Sequence, residues 1–496
     1  MLLVLAAIVG ALPGPAAADQ DGQPSAAAMG YLTTGKYHSC VVLSGRVRCW
    51  GYNNEGELGL GNKQAIGDDE EPASAGTVDL GPGATVKAIS AGDVHTCALL
   101  NDGSVRCWGV GADGRLGYGG APTTTPPSHP PPVGDDEPVA SAGAVNLGFG
   151  KTATSIAAGG GHTCAVLNDG SVRCWGFALE GRLGYGNIFA LGDDEPGGAG
   201  GPVPIGAGRR AVAVSGGGYH SCALLDGGDV RCWGFNGSGR LGHLDVPIEL
   251  TAQCQATVPQ SCRPYDATGR VPETTPDKVT PVVLGGPAAA ISAGEGHTCA
   301  LLVDGKVRCW GSPASGRLGY GNGATIGDDE SPAAVDPVSL GTGRKAVAIS
   351  SGFEHTCAIL DDGSVRCWGY GQFGQLGYGN KDNIGDNETP GSIAPVDLGP
   401  GRTAKAISAS FRHTCALLDD DSVRCWGSGA LGRLGYCSET TIGDTELPSS
   451  IPPVALGQSA IPGARCPPPP TTPAAPSNPA AHAAPPAAPP AASRTR

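Results

Sequence analysis

Apolar and polar residues alternate along this chain in short bursts. HTCALL (95–100) and SVRCWG (104–109) keep a period of two for five or six residues, with Asn101-Asp102-Gly103 between them. That is the signature of half-buried strands joined by a tight turn. Two further short strands, VDLG (78–81) and KAISAG (87–92), precede this hairpin, and a glycine-rich stretch, GRLGYG (114–119), follows it. No window carries a helical period. A three-residue loop with Gly103 in the left-handed region sets Leu99 opposite Val105 and Cys97 opposite Cys107.

The unit occurs seven times, with histidines at 38, 95, 162, 220, 297, 355 and 413, each followed two residues later by cysteine. The intervals are 57, 67, 58, 77, 58 and 58 residues, and all seven tryptophans (50, 108, 175, 233, 310, 368 and 426) fall in Cys-Trp-Gly. A sheet of a few short strands cannot bury both faces alone, so such units stack on one another. Four strands per unit and seven units predict an all-β fold, a seven-bladed β-propeller of four-stranded antiparallel blades. The first unit lacks the strand that precedes the others, and PPVALG (452–457) follows the last with no hairpin after it. The C-terminal strand is therefore expected to complete the first blade and close the ring.

Facing positions on paired strands bring cysteines within disulfide reach. The predicted pairs are Cys40 with Cys49, Cys97 with Cys107, Cys164 with Cys174, Cys222 with Cys232, Cys299 with Cys309, Cys357 with Cys367 and Cys415 with Cys425. Zinc bound by His95, Cys97 and Cys107 is the rival, but it lacks a fourth ligand and a matching motif. Cys254 and Cys262 are expected to pair within the long insert 243–278, and Cys437 with Cys466.

The repeats H-T-C-A-L-L-x-D-G-x-V-R-C-W-G and G-x-L-G-Y-G resemble those of the regulator of chromosome condensation family over residues 30 to 457. Cysteine content suggests its secreted bacterial type, related in fold to propeller-type β-lactamase inhibitory proteins. The resemblance implies a scaffold whose loops contact other proteins. The positions it matches are framework ones: His95, Gly103, Trp108, Gly109, Leu116 and Gly117.

Composition adds a compartment and a partner class. An apolar stretch from Leu2 to Leu12 reads as a signal peptide over 1–18, followed by a linker (19–29), the propeller (30–466) and a Pro/Ala-rich tail (467–496). With 18 cysteines, this predicts a secreted, extracellular or cell-surface protein. A net charge of −14 argues against nucleic acid, and no second apolar stretch offers a membrane span. The expected partner is a protein or surface glycan, bound by a monomer that needs no cofactor.

Individuality sits in the inserts and in a recurring acidic turn. Arg263, Tyr265 and Arg270 give the fourth insert the composition of an interaction loop. The turns, such as Asp68-Asp69-Glu70 and Asp328-Asp329-Glu330, are candidate calcium ligands, although each is short of a full oxygen shell. No residue set occurring once has the makings of a catalytic constellation. The main reading is a non-enzymatic secreted scaffold. The alternatives are a hydrolase or lyase in the central channel, and exchange-factor-like activity by family analogy.

Overall fold

A computed structural model describes residues 31–120, 130–244 and 275–457. The proposed signal peptide, the linker, the insert residues Cys254, Cys262, Arg263, Tyr265 and Arg270, as well as Cys466 and the tail, lie outside the described residues. Among the described residues no helix is long and apolar enough to cross a membrane.

Seven antiparallel sheets stand side by side. Inner, middle and outer strands are Leu32–Thr34, His38–Leu43 and Arg46–Gly51 in blade 1, and Val86–Ala91, His95–Leu100 and Val105–Gly109 in blade 2. Blade 3 has Ala153–Ala158, His162–Leu167 and Val172–Gly176, and blade 4 has Ala211–Gly216, His220–Leu225 and Val230–Gly234. Blade 5 has Ala288–Ala293, His297–Leu302 and Val307–Gly311, and blade 6 has Ala346–Ser351, His355–Leu360 and Val365–Gly369. Blade 7 has Ala404–Ala409, His413–Leu418 and Val423–Gly427.

The hairpin register is the one the alternation dictates, with Leu99 opposite Val105 and Cys97 opposite Cys107. Gly103 sits at φ 82°, a conformation costly for any side chain. In blade 1 the two-residue turn Ser44-Gly45 keeps Cys40 opposite Cys49. All seven hairpins carry their disulfide, with Cα atoms 4.0 to 4.1 Å apart, and the cysteines are buried. The sulfurs are thereby unavailable to zinc. Cys437 is also disulfide-bonded.

Two expectations about the blades need correction. Each sheet has three strands, not four. The Pro-Val-x-Leu-Gly segment makes a single ladder bond, as in Val396 N–H to Val365 O at 2.9 Å. Proline in most copies removes a donor and the glycine ends the extended run, so no ladder propagates. The phase also differs, because this segment lies on the outer strand of the hairpin before it: Val78 N–H donates to Val47 O in blade 1.

The C-terminal strand consequently does not close the ring. Val454 donates to Val423 within blade 7, at 2.8 Å. Closure comes instead from side-by-side packing of the inner strand of blade 1 between those of blades 7 and 2. Thr34 N–H donates to Ser408 Oγ across that seam at 3.0 Å.

Candidate protein-binding face at the channel mouth

Every seam uses the repeated histidine. Each is fully buried, and its Nε2 lies 2.7 to 2.9 Å from a Thr or Ser hydroxyl of the next blade. That hydroxyl donates onward to a backbone carbonyl, as Thr298 does to Arg240 O at 2.9 Å. It must therefore accept from the ring, which puts the imidazole proton on Nε2. The same carbonyl often accepts a Trp N–H: Gln375 O takes both Thr414 and Trp426, and Arg433 O takes both Ser39 and Trp50. The His413–Ser39 bond makes the chain of contacts circular.

Burial pushes these imidazoles down, to about 4 for His38 and about 3 for His220 and His355. They are neutral structural donors. The Tyr of G-Y-G is structural too, since Tyr378 OH bonds both backbone atoms of Cys367. In blade 4, His243 takes that place against Cys232.

The acidic turns lie at the histidine end of the outer strands, through bridges such as Gly51 to Ile66 and Gly311 to Ile326. They wedge into seams: Gly61 N–H of blade 1 donates to Gly134 O of the blade 2 turn at 3.0 Å. Asp68, Asp69 and Glu70 bring three carboxylate oxygens within 4.8 Å of one another, as do Asp328, Asp329 and Glu330. Burial, then the neighbouring carboxylates, pushes Glu70 up to about 8 and Glu330 up to about 7.

At the same face each inner strand is followed by glycine, except in blade 7, where Ser410 takes that place. A Cβ on Gly92 would stand 2.2 Å from Gly159 O and 2.5 Å from the His95 ring. Close approach of successive loops thus demands glycine there. The result is a central cavity of about 360 Å³, lined by the ends of the inner strands, by the residue two before each histidine, and by Asp113, Arg115, Phe177, Arg182 and Tyr219.

The two residues that precede each histidine differ in every blade. They are Lys36-Tyr37, Asp93-Val94, Gly160-Gly161, Gly218-Tyr219, Glu295-Gly296, Phe353-Glu354 and Phe411-Arg412. Across blades 6, 7 and 1 they build an aromatic arc, with Phe353 and Phe411 edge to face at 4.7 Å and Tyr37 6.1 Å from Phe411. The Arg412 guanidinium lies 4.1 Å from the Phe373 ring and 4.6 Å from Phe411, and the Lys36 ammonium is 5.0 Å from Phe411. A second arc sets Arg182 and Arg240 against Phe177, Tyr219 and Phe235.

On the opposite face several cations are tied to carboxylates, although Arg46 and Lys345 there make no ion pair among the described residues. Arg344 meets Asp361 and Asp362, Arg402 meets Asp419 and Asp420, and Lys405 meets Asp421, at 2.6 to 3.2 Å. Lys36 and Arg412 have no such partner among the described residues.

The expected interaction loop therefore lies outside the described residues, while the arc was missed from sequence. Its signal was present: the two positions before each histidine vary most within an otherwise uniform hairpin.

A closed ring of structurally equivalent blades with a side-chain-bearing mouth defines a propeller scaffold. Models of the Regulator of chromosome condensation (RCC1) repeat match residues 86–115, 153–181, 211–240, 288–317, 346–375 and 404–433, and also 44–99 and 362–417. The chain belongs to the RCC1 repeat family.

It is similar to the ultraviolet-B receptor UVR8 of Arabidopsis thaliana, 28% identical over 82% of this chain and 78% of that one. It is likewise 28% identical to the E3 ubiquitin-protein ligase HERC2 of Homo sapiens, over 79% of this chain but only 7% of HERC2. The mitochondrial RCC1 domain-containing protein RUG3 of Arabidopsis thaliana is 27% identical, over 70% of this chain and 66% of that one. Among solved structures, yeast RCC1 (Prp20) bound to Kap60 superposes with a TM-score of 0.58, at 21% identity over 91% of each chain. Human WBSCR16 gives a TM-score of 0.58 at 16% identity, over 82% of this chain and 94% of that one.

These relatives correct the compartment. They are plant and human proteins, named as a receptor, a ubiquitin ligase and a mitochondrial protein. The secreted bacterial subtype, the tie to β-lactamase inhibitory proteins and the cell-surface placement are set aside. Fourteen of the 18 cysteines staple hairpins, so the cysteine count reflects the repeated framework rather than a compartment.

Proposed function

We propose that this chain is a non-enzymatic RCC1-type propeller that binds a protein partner on its histidine-side channel mouth. The observation that carries this reading is the aromatic arc of Phe353, Phe411 and Tyr37 with Lys36 and Arg412, cations that lie against its rings and have no carboxylate partner among the described residues. Aromatic rings and arginine dominate the energetics of protein interfaces, whereas exposed ion pairs contribute little. A glycan or a free-standing monomer is not needed by the reading.

Benzoylphenylalanine placed at position 411, and separately at the fully exposed Phe149, is the test. Irradiation should give protein adducts from position 411 alone; adducts only from position 149 would overturn the face assignment.

A second reading, exchange-factor-like activity, is favoured by the likeness to yeast RCC1 along nearly the whole chain. It predicts faster release of a fluorescent guanine nucleotide from a small GTPase, and an unchanged release rate across a GTPase panel would remove it.

A further inference from the structure

The channel mouth holds two carboxylates that lie near cations but make no direct ion pair among the described residues: Lys36, Arg115 and Arg182 act on Asp93, and Arg317 and Arg240 on Glu295. Around the mouth, Arg115 pairs with Asp113 at 3.0 Å, Arg182 pairs with Glu180, and Arg317 pairs with Glu354 at 3.3 Å. Asp93 and Glu295 line the same cavity, and neither has a cation within 4.0 Å among the described residues.

Their position is set by backbone. Lys36 N–H donates to Asp93 O at 3.2 Å, and Arg240 Nη1 donates to Glu295 O at 2.8 Å. Both main chains are thus pinned to neighbouring blades while the side chains stay free. Between the two, blades 3 and 4 offer Gly160, Gly161 and Gly218, which leave the wall without side chains. Lys36, Arg115 and Arg182 also border the cavity and Arg240 and Arg317 flank Glu295, but Arg115, Arg182 and Arg317 already have carboxylates, Arg240 lies against Phe235 and the Lys36 ammonium lies against Phe411.

We infer that the Asp93 and Glu295 carboxylates accept a lysine or arginine side chain that the protein partner inserts into the channel mouth. This rests on the channel-mouth reading above. A partly buried carboxylate without a direct ion pair is held at a cost that an entering cation offsets, and the cation loses less hydration where carboxylate oxygens replace water. The aromatic arc beside them packs the apolar part of the same partner segment, as rings do around an interface anchor. Burial raises both carboxyls above the usual range, Glu295 to about 7, against the opposing pull of Lys36, Arg115 and Arg182 on Asp93 and of Arg317 and Arg240 on Glu295.

The test uses random decapeptides displayed on phage, selected on the full chain and measured as synthetic peptides. Binders should carry a Lys or Arg whose replacement by norleucine weakens binding tenfold or more. They should lose at least tenfold on D93N/E295Q, whose melting temperature does not fall because two unpaired carboxylates become neutral. D69N/D329N removes the same charge from exposed acidic-turn positions and should change binding less than twofold.

Equal losses on both double variants would reduce the effect to net charge and overturn the inference. So would binders without a required basic residue. Binders that fail on F353A/F411A yet bind D93N/E295Q normally would refute the cation pocket alone. Binders indifferent to both, or no binders at all, would refute the channel-mouth reading as well.

Discussion

Two adjacent layers of one face behave in opposite ways. The seven histidines repeat one interaction at every seam, each donating to a hydroxyl of the next blade. One and two residues earlier, the same loops offer Lys-Tyr, Asp-Val, Gly-Gly, Gly-Tyr, Glu-Gly, Phe-Glu and Phe-Arg. The lower layer fixes blade spacing, and the upper layer is then free to carry recognition. Repetition in this molecule marks framework, and departure from repetition marks the binding surface.

The widest consequence belongs to the lower layer. Burial holds the folded imidazoles well below their unfolded value near 6.5, to about 4 for His38 and about 3 for His220 and His355, so below pH 6.5 the unfolded chain binds more protons. The stability these neutral rings contribute is complete above pH 6.5 and falls as pH drops towards 4. The ceiling is about 1.4 kcal/mol per histidine per pH unit. Denaturant midpoints measured from pH 7 to pH 4 should decline steeply. A flat profile would mean that the rings are not buried donors.

Next in size is Trp50→Ala, which removes a fully buried indole and its bond to Arg433 O across the seam between the last and first blades. A loss of about 3–5 kcal/mol is expected, matched by Trp426→Ala at an ordinary seam. A much smaller loss at Trp50 in urea unfolding would mean that the ring closes some other way.

Glu57 should respond with the opposite sign. It occupies the place that Gln375 holds in blade 6: Glu57 Oε2 accepts the Glu55 N–H at 2.9 Å and Gln375 Oε1 accepts the Phe373 N–H at 2.8 Å. Burial pushes the Glu57 carboxyl up to about 7, so its share of stability is present below pH 4.5 and lost as pH rises through 7. Glu57→Gln should raise stability at pH 8 by up to about 3 kcal/mol and have little effect at pH 4.5. Thermal melts at the two pH values distinguish this from a pH-independent packing effect.

Much of the lower layer was legible in the sequence. Alternation and the Asn-Asp-Gly turn gave the hairpin register and the hairpin disulfides, because cross-strand pairing follows from loop length. Phase and closure were not legible, because VDLG could lie on either neighbouring hairpin. Only the Val78 to Val47 bond assigns it to the one before. In the sequence the acidic turns stand out only as candidate calcium ligands, yet Gly134 O of such a turn is bonded across a seam. The upper layer was hidden for a different reason. Phe353, Phe411 and Tyr37 come from blades 6, 7 and 1, and become neighbours only when the ring closes.

Partner capture by two variant sets tests the separation of layers most directly. F353A/F411A/R412A strips the arc, and R344A/R402A/K405A strips the paired cations of the opposite face. Each set should cost only a few kcal/mol at most, since single cation–ring contacts and exposed ion pairs contribute about 1 kcal/mol or less. Capture of the protein cross-linked at position 411 should fall tenfold or more for the first set and less than twofold for the second. Unchanged capture by the first set, or equal losses in both, would contradict the account.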